Sequence, residues 1–328
     1  MAFFCNLVFQ LKTMVRFLGT TLFGFAVILI LNHCVSAKVQ MRDYITENVI
    51  VLVVDGPRYS ETWGDNSHAN IPKMDSVLAS EGMICSGFYN LGETYTTAGH
   101  TAITTGYYQS INNSGAESPS HVSFFQLLLK EKNWTSEDVW LVTSKDKLAR
   151  LANTTDSDWK DQFIPSMNCG VNGLGTGYRD DSTTFTVITD VLQNHHPKVL
   201  FVNFREPDYS GHQANWTNYI KGIQDTDEYV YQIWQMIQND PFYAGKTSLF
   251  VTNDHGRHLD GVNDGFPSHG DGCDGCRHIN FYAYGPDFKK NIVFTNSYSL
   301  IDLNATILEL LNVKNRSTSG KVMMELFN

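Results

Sequence analysis

Six side chains along this sequence are of the types that hold divalent ions: Asp55, Asp208, His212, Asp254, His255 and His269. Any one of these aspartates alone reads as a turn former or helix cap. Asp208 and His212 are four residues apart, the spacing that puts two side chains on one face of a helical turn. Asp254 and His255 are adjacent, so a regular strand would point them to opposite sides, whereas a turn beyond a strand lets both reach metal. His269 stands in a glycine-rich loop, Ser268-His269-Gly270-Asp271, where a lone histidine would ordinarily be solvated. Three carboxylates and three histidines suffice for two divalent ions, and mixed nitrogen and oxygen ligation suits zinc or manganese better than calcium. Paired ions of this kind stabilise the attacking and leaving oxygens of an in-line displacement at phosphorus.

The elements that must position these residues are legible as apolar patterns. Residues 48–54 read NVIVLVV, a buried strand that stops in the turn at Asp55-Gly56. A helix is expected over 74–80, then helix 124–129, strand 139–142, helix 183–192 and strand 199–202. Ile220, Ile223, Val230, Ile233 and Ile237 place a helix over 219–237, before a strand at 248–251. This alternation predicts an α/β fold: a mostly parallel central sheet with helices on both faces and a site beyond the carboxyl ends of its strands. Asp55 follows the first strand, Asp208 follows 199–203 after a short turn, and Asp254-His255 follow 248–252, so three acids converge on one edge.

Residues 17–31 are almost wholly apolar, follow Arg16 and lead to Val35 and Ala37, which suit a signal cleavage site. The reading is a signal peptide over 1–37, with Met14 an alternative start; a retained anchor would need about 20 apolar residues. Loss of Lys12 and Arg16 with the leader deepens a formal net charge of −10. So acidic a chain is not built to neutralise nucleic-acid phosphates. Cys85, Cys169, Cys273 and Cys276 remain, an even set that an oxidising compartment could pair. Sequons head at Asn112, Asn133, Asn153, Asn215, Asn304 and Asn315, consistent with a secretory route. No repeat or linker divides residues 38–328, which read as one domain.

The motifs form an ordered series: Val53-Val54-Asp55-Gly56; Thr94-Tyr95-Thr96-Thr97-Ala98-Gly99-His100 running to Gly106; Glu206-Pro207-Asp208-Tyr209-Ser210-Gly211-His212; Thr252-Asn253-Asp254-His255-Gly256; and His269-Gly270-Asp271. Together they resemble the alkaline phosphatase superfamily, in its threonine-nucleophile branch. Residues 281–288 resemble the closing strand of nucleotide pyrophosphatase/phosphodiesterases, and 302–311 their terminal helix. The resemblance implies that Asp55, Thr96, Asp254 and His255 surround one metal ion, that Asp208, His212 and His269 bind another, and that Thr96 is the nucleophile. A threonine hydroxyl does need a metal to lower its pKa. Thr96 also precedes an expected helix over 98–105, whose free N–H groups favour an anionic phosphate.

Substrate class follows from what surrounds that threonine. Sulfatases of the superfamily need a Cys or Ser in a Cys-x-Pro-x-Arg type of motif, which Thr96-Thr97-Ala98-Gly99 lacks. Its phosphoglycerate mutases use serine and carry an inserted domain. Thr-type bacterial alkaline phosphatases carry Lys-Asp-Arg after a central strand, gripping the non-bridging phosphate oxygens. Ser144-Lys145-Asp146-Lys147 resembles this with Lys147 in place of Arg, which loses a bidentate grip. Asn113 is the candidate for a further phosphate contact. The expected activity is thus phosphomonoester hydrolysis through a phosphothreonine, with phosphodiesterase or nucleotide pyrophosphatase, or a catalytically weak metal-containing binding protein, as alternatives. Cys273-Asp274-Gly275-Cys276-Arg277-His278 lacks the haem spacing and any second cysteine pair for a zinc ribbon, so it reads as a short-loop disulfide shaping the His269 loop. His195-His196 reads as a solvated helix end.

Overall fold

A computed structural model describes residues 42–314 and 316–328; the expected leader, Cys5, Cys34 and Asn315 lie outside the described residues. The strands are β1 (Asn48–Asp55), β2 (Gly82–Cys85), β3 (Phe88–Tyr89), β4 (Val139–Thr143), β5 (Ser166–Cys169), β6 (Val199–Pro207), β7 (Thr247–Asn253), β8 (His278–Ile279), β9 (Phe281–Tyr284), β10 (Ile292–Phe294) and β11 (Tyr298–Ser299). The α-helices are α1 (Thr96–Thr105), α2 (Phe124–Glu131), α3 (Asp181–Asp190), α4 (Asp208–His212), α5 (Trp216–Asn239), α6 (Asp274–Arg277) and α7 (Leu300–Leu310). All lie in one compact unit, Asp43–Asn328.

β1 is a β-branched run with every residue buried, so it needs cover on both faces. Val49, Val51 and Val53 enter one apolar layer and Ile50, Leu52 and Val54 the other, as a period of two requires. Ala102, Ile103, Phe124, Phe125, Leu303 and Ile307 bring α1, α2 and α7 onto the first face. Ile188, Ile223, Val230, Ile233 and Ile237 bring α3 and α5 onto the second. The large sheet runs β10-β2-β9-β7-β1-β6-β4-β5, with β1 pairing in parallel with both β6 and β7. β4 is parallel to β6 and β5, whereas β9 is antiparallel to β7 and β2. The expected α/β architecture with a mostly parallel sheet covered on both faces is therefore borne out.

Two elements differ from expectation. β6 has no turn after Asn203 but continues to Pro207 and runs directly into α4, because its far end pairs with Asp55 across an irregularity between Val54 and Asp55. Residues 74–81 are helical as expected but not as one regular α-helix: a π-helical stretch, Met74–Leu78, passes directly into a 3₁₀ turn, Ala79–Glu81. They are held from outside, since buried Asp227 of α5 accepts the Lys73 and Met74 N–H groups at 2.8 Å. The Asn304 sequon is excluded from glycosylation in the folded chain: the side chain is fully buried and donates to the Ile103 and Thr104 carbonyls. Among the described residues no helix is long and apolar enough to cross a membrane.

The close approach of α1 to the sheet edge depends on Gly99. A Cβ there would lie 2.5 Å from the Asp254 carbonyl oxygen and 2.9 Å from the Asp254 Cβ. Helix propensity alone makes Gly→Ala worth about 1 kcal/mol of stabilisation. Overlap with a backbone carbonyl opposes this by about 1–3 kcal/mol, so Gly99→Ala is expected to lower the thermal midpoint. A raised midpoint in calorimetry would contradict this account of the packing.

Candidate metal centre

Three adjacent parallel strands deliver the acids. Asp55 ends β1, Asp208 opens α4 directly after β6, and Asp254-His255 follow β7. Gly56, at φ +71°, turns the chain away so closely that a Cβ would lie 2.9 Å from the Asp208 Cβ. One ligand atom each from Asp55, Asp254 and His255 lie within 4.8 Å of one another, and so do atoms of Asp208, His255 and His269. His255 Nε2 is 3.5 Å from Asp55 Oδ1 and 3.4 Å from Asp254 Oδ2, while its ring stacks on His269 at 3.9 Å between centroids. It therefore stands between the two groups. His212 Nε2 is 3.4 Å from Asp208 Oδ1 and 3.1 Å from His269 Nε2, as the helical spacing of four predicts.

The electrostatics of this edge call for cations. Asp55, Asp208 and Asp254 are buried. Burial, then the neighbouring Asp254, pushes the Asp55 carboxyl up to about 7. Burial opposes the charge of Asp208, but Lys145, then the hydrogen bond from His269 and the Arg257 guanidinium, outweigh it and hold the carboxyl well below its usual range. Burial keeps His255 neutral with a pKa of about 3 and His212 with one of about 4. Neutral imidazole is the form that binds metal. Asp254 Oδ2 and His255 Nε2 are buried and make no hydrogen bond, a costly condition for isolated polar atoms. The donor set and these two orphaned atoms fit a divalent ion held by Asp55, Asp254 and His255.

Thr96 is the first residue of α1, after extended Tyr95. Its Oγ1 lies 3.5 Å from Asp55 Oδ1 and accepts from Lys145 Nζ at 3.2 Å. Lys145, just past β4, also meets Asp208 Oδ2 at 2.7 Å and Asp55 Oδ2 at 2.9 Å. Burial opposes its charge, but the carboxylates of Asp208, Asp55 and Asp254 prevail and raise its pKa. Lys147 Nζ is 2.9 Å from the Asn113 carbonyl and 3.0 Å from its Oδ1. Burial, then Lys145, brings the Lys147 pKa down to about 8. Asn113 Oδ1 also accepts the Thr97 N–H at 2.9 Å, so this group at the start of α1 is not free as the sequence reading supposed. A cavity of about 270 Å³ opens beside them, lined in part by Asn113, Lys147, Arg150 and Tyr178.

Three residues of the site were not singled out as functional from sequence. Asn203, a polar residue at the end of an apolar run, donates to Asp55 Oδ2 at 3.0 Å and lies 3.1 Å from His100 Nε2. His100 Nδ1 is 2.8 Å from the Thr96 carbonyl and 3.3 Å from Asp254 Oδ2. Arg257 is fully buried, bonds Asp208 Oδ1 and the Pro267 carbonyl, and lies 3.4 Å from His212 Nδ1. A polar end to a hydrophobic strand was a usable signal for Asn203; nothing local marked Arg257 as buried.

The expected Cys273–Cys276 disulfide is corrected: both cysteines are free, as are Cys85 and Cys169. Cys273 caps the short α6 and Cys276 lies within it, and their sulfurs share a pocket with His258 and Asp271. His195 and His196 lie away from the centre, against Glu137 and Asp240.

A sequence profile described as the Metalloenzyme superfamily matches residues 47–315. A 2,3-bisphosphoglycerate-independent phosphoglycerate mutase of Gracilaria tenuistipitata var. liui is 28% identical over 155 residues, covering 46% of this chain and 28% of the mutase. The alignment thus spans well under a third of that relative. A phosphonate monoester hydrolase from Silicibacter pomeroyi superposes with a TM-score of 0.61 at 13% identity, over 85% of this chain and 76% of its own. An inactive murine ectonucleotide pyrophosphatase/phosphodiesterase 5 in complex with AMP gives 0.59 at 15% identity, over 86% and 100%. A Vibrio parahaemolyticus protein of the alkaline phosphatase superfamily gives 0.60 at 15%, over 88% and 71%. With its profile matched over residues 47–315 and its fold shared with these proteins, the chain belongs to the Metalloenzyme superfamily and has the alkaline phosphatase fold.

Proposed function

We infer that the protein is a secreted two-metal phosphate ester hydrolase, with phosphomonoesters as its favoured substrates and a phosphothreonine on Thr96 as its intermediate. The observation that carries this reading is the contact of Lys145 Nζ with Thr96 Oγ1 at 3.2 Å beside two Asp/His groups. Asp55, Thr96, Asp254 and His255 would hold one ion, and Asp208, His212 and His269 the other. Zinc is preferred to manganese for this donor set. When bound, the pair supplies Lewis acidity at the attacking and leaving oxygens.

Thr96 Oγ1 forms the bond to phosphorus as the ester oxygen departs, and water later cleaves the phosphothreonine. Lys145 favours the threonine alkoxide over the hydroxyl by direct Coulomb attraction. Lys147 and Asn113, beside the cavity, would bind the non-bridging oxygens. The apolar leader at 17–31 and the exposed sequons at Asn112, Asn133 and Asn215 support the extracytoplasmic location. Diester hydrolysis is the second reading, favoured by the partly exposed rings of Tyr95, edge-on to His269, and Tyr178, in the cavity wall. Such rings could stack on an aromatic leaving group.

Thr96→Ala is expected to lower kcat/KM for both nitrophenyl mono- and diesters by at least about 10³-fold. Residual activity within tenfold of wild type would remove Thr96 from the nucleophile's role. Chelation should abolish hydrolysis and lower the thermal midpoint, because binding energy of the folded state is lost; full activity after verified removal of the ions would exclude the metal mechanism.

The ester preference is read at Lys147. Because Lys145 touches the nucleophile itself, its loss should affect both ester types. Lys147→Ala should lower monoester kcat/KM by about 10²-fold, the scale of one preorganised donor, and diester hydrolysis much less. Equal losses, or a wild-type preference for the diester, would promote the second reading.

A further inference from the structure

We propose that His258, Asp271, Cys273 and Cys276 form a separate structural zinc site that clips the loops on either side of the catalytic centre. One ligand atom from each of the four lies within 4.8 Å of all the others. In a tetrahedral zinc complex with bonds of about 2.0–2.3 Å, ligand atoms stand somewhat closer than this, so only a small contraction is needed. The donor set of two thiolates, one imidazole and one carboxylate is soft enough to prefer zinc over calcium or magnesium.

The surroundings are those of a built site. His258 and Cys276 are buried, and His258 Nδ1 is buried without a hydrogen-bond partner. His258 Nε2 lies 3.2 Å from Asp271 Oδ2, which also accepts from Asn263 at 2.8 Å, while Asp271 Oδ1 accepts the Cys273 N–H at 2.9 Å. The bond from Asn263, which lies outside the set of four, orients Asp271 as outer bonds orient metal ligands. Asp271 and Cys273 reach the surface and provide an entry path. On binding, each thiol loses its proton to solvent; two thiolates and a carboxylate around a divalent ion leave one negative charge, and the Arg277 guanidinium lies against Gly272 beside it.

The clip joins three segments. His258 belongs to the segment after Asp254-His255, and its N–H bonds the Ser268 carbonyl at 3.1 Å. Asp271 stands two residues after His269, and its carbonyl accepts from Thr94, two residues before Thr96, at 2.8 Å. Cys276 accepts the Gly256 N–H on its carbonyl at 2.8 Å. A metal here therefore fixes His255, His269 and the entry to α1 relative to one another without touching substrate.

The paired Asp/His groups contain no sulfur, so the two kinds of site are separable by spectroscopy. Cobalt-substituted wild-type protein is expected to show a thiolate-to-cobalt charge-transfer band, and C273S/C276S to lack it. By metal analysis the zinc-loaded variant should hold one ion per chain fewer than wild type. Cobalt-loaded wild type without the band would overturn the site even if the variant failed to fold. So would a Cys273–Cys276 disulfide in purified active protein, or equal metal content in the two proteins. Loss of hydrolysis with the band intact would count against the phosphatase reading and leave the zinc site standing.

Discussion

Gathering three buried aspartates at one sheet edge is the constraint on which this molecule is organised. Each ion taken out of water costs several kcal/mol unless opposite charge is supplied. Asp55, Asp208 and Asp254 arrive there because β1 lies between β6 and β7 and all three strands run the same way. The parallel pairing that makes the core also makes the repulsion. Lys145 relieves part of it by contacting Asp55 and Asp208 together, and Arg257 relieves Asp208 again from the opposite side.

That relief is uneven, and the unevenness distinguishes the two halves of the centre. Asp208 has two fixed cations, and its histidine neighbour His212 has a half-exposed side chain. Asp55, Asp254 and His255 are wholly buried, and Asp254 and His255 each retain an orphaned polar atom. The demand for a divalent ion is therefore greatest in the enclosed half. His255, stacked on His269, is the side chain common to the two ligand groups.

Much of this was legible because the chemistry sits where patterns end. The run Asn48–Asp55 announces a buried strand by its β-branched residues, and its terminal aspartate is the first unsatisfied charge. The spacing of Asp208 and His212 carried geometric meaning without a structure. What could not be read were partners separated widely in sequence. Arg257 lies next to a motif but acts on Asp208, and the cysteine pair was set aside for want of a second pair, whereas the groups facing it are His258 and Asp271. The stretch over 74–80 is helical as expected, but the group that caps its first N–H donors, Asp227, lies on another element and was not legible.

Charge counting connects the centre to its proposed substrate. Counted as ionised, the three carboxylates exceed Lys145 and Arg257 by one negative charge. Two divalent ions would turn this into an excess of three positive charges. A phosphomonoester dianion offsets that excess better than a singly charged diester does, and in a water-poor site the difference is amplified. The positive field of the ions disfavours the charged form of Lys147, whereas a bound dianion favours it, so the substrate that needs the cation also helps keep it charged. The proposed preference for monoesters therefore rests on the summed field of the site, to which Lys147 contributes.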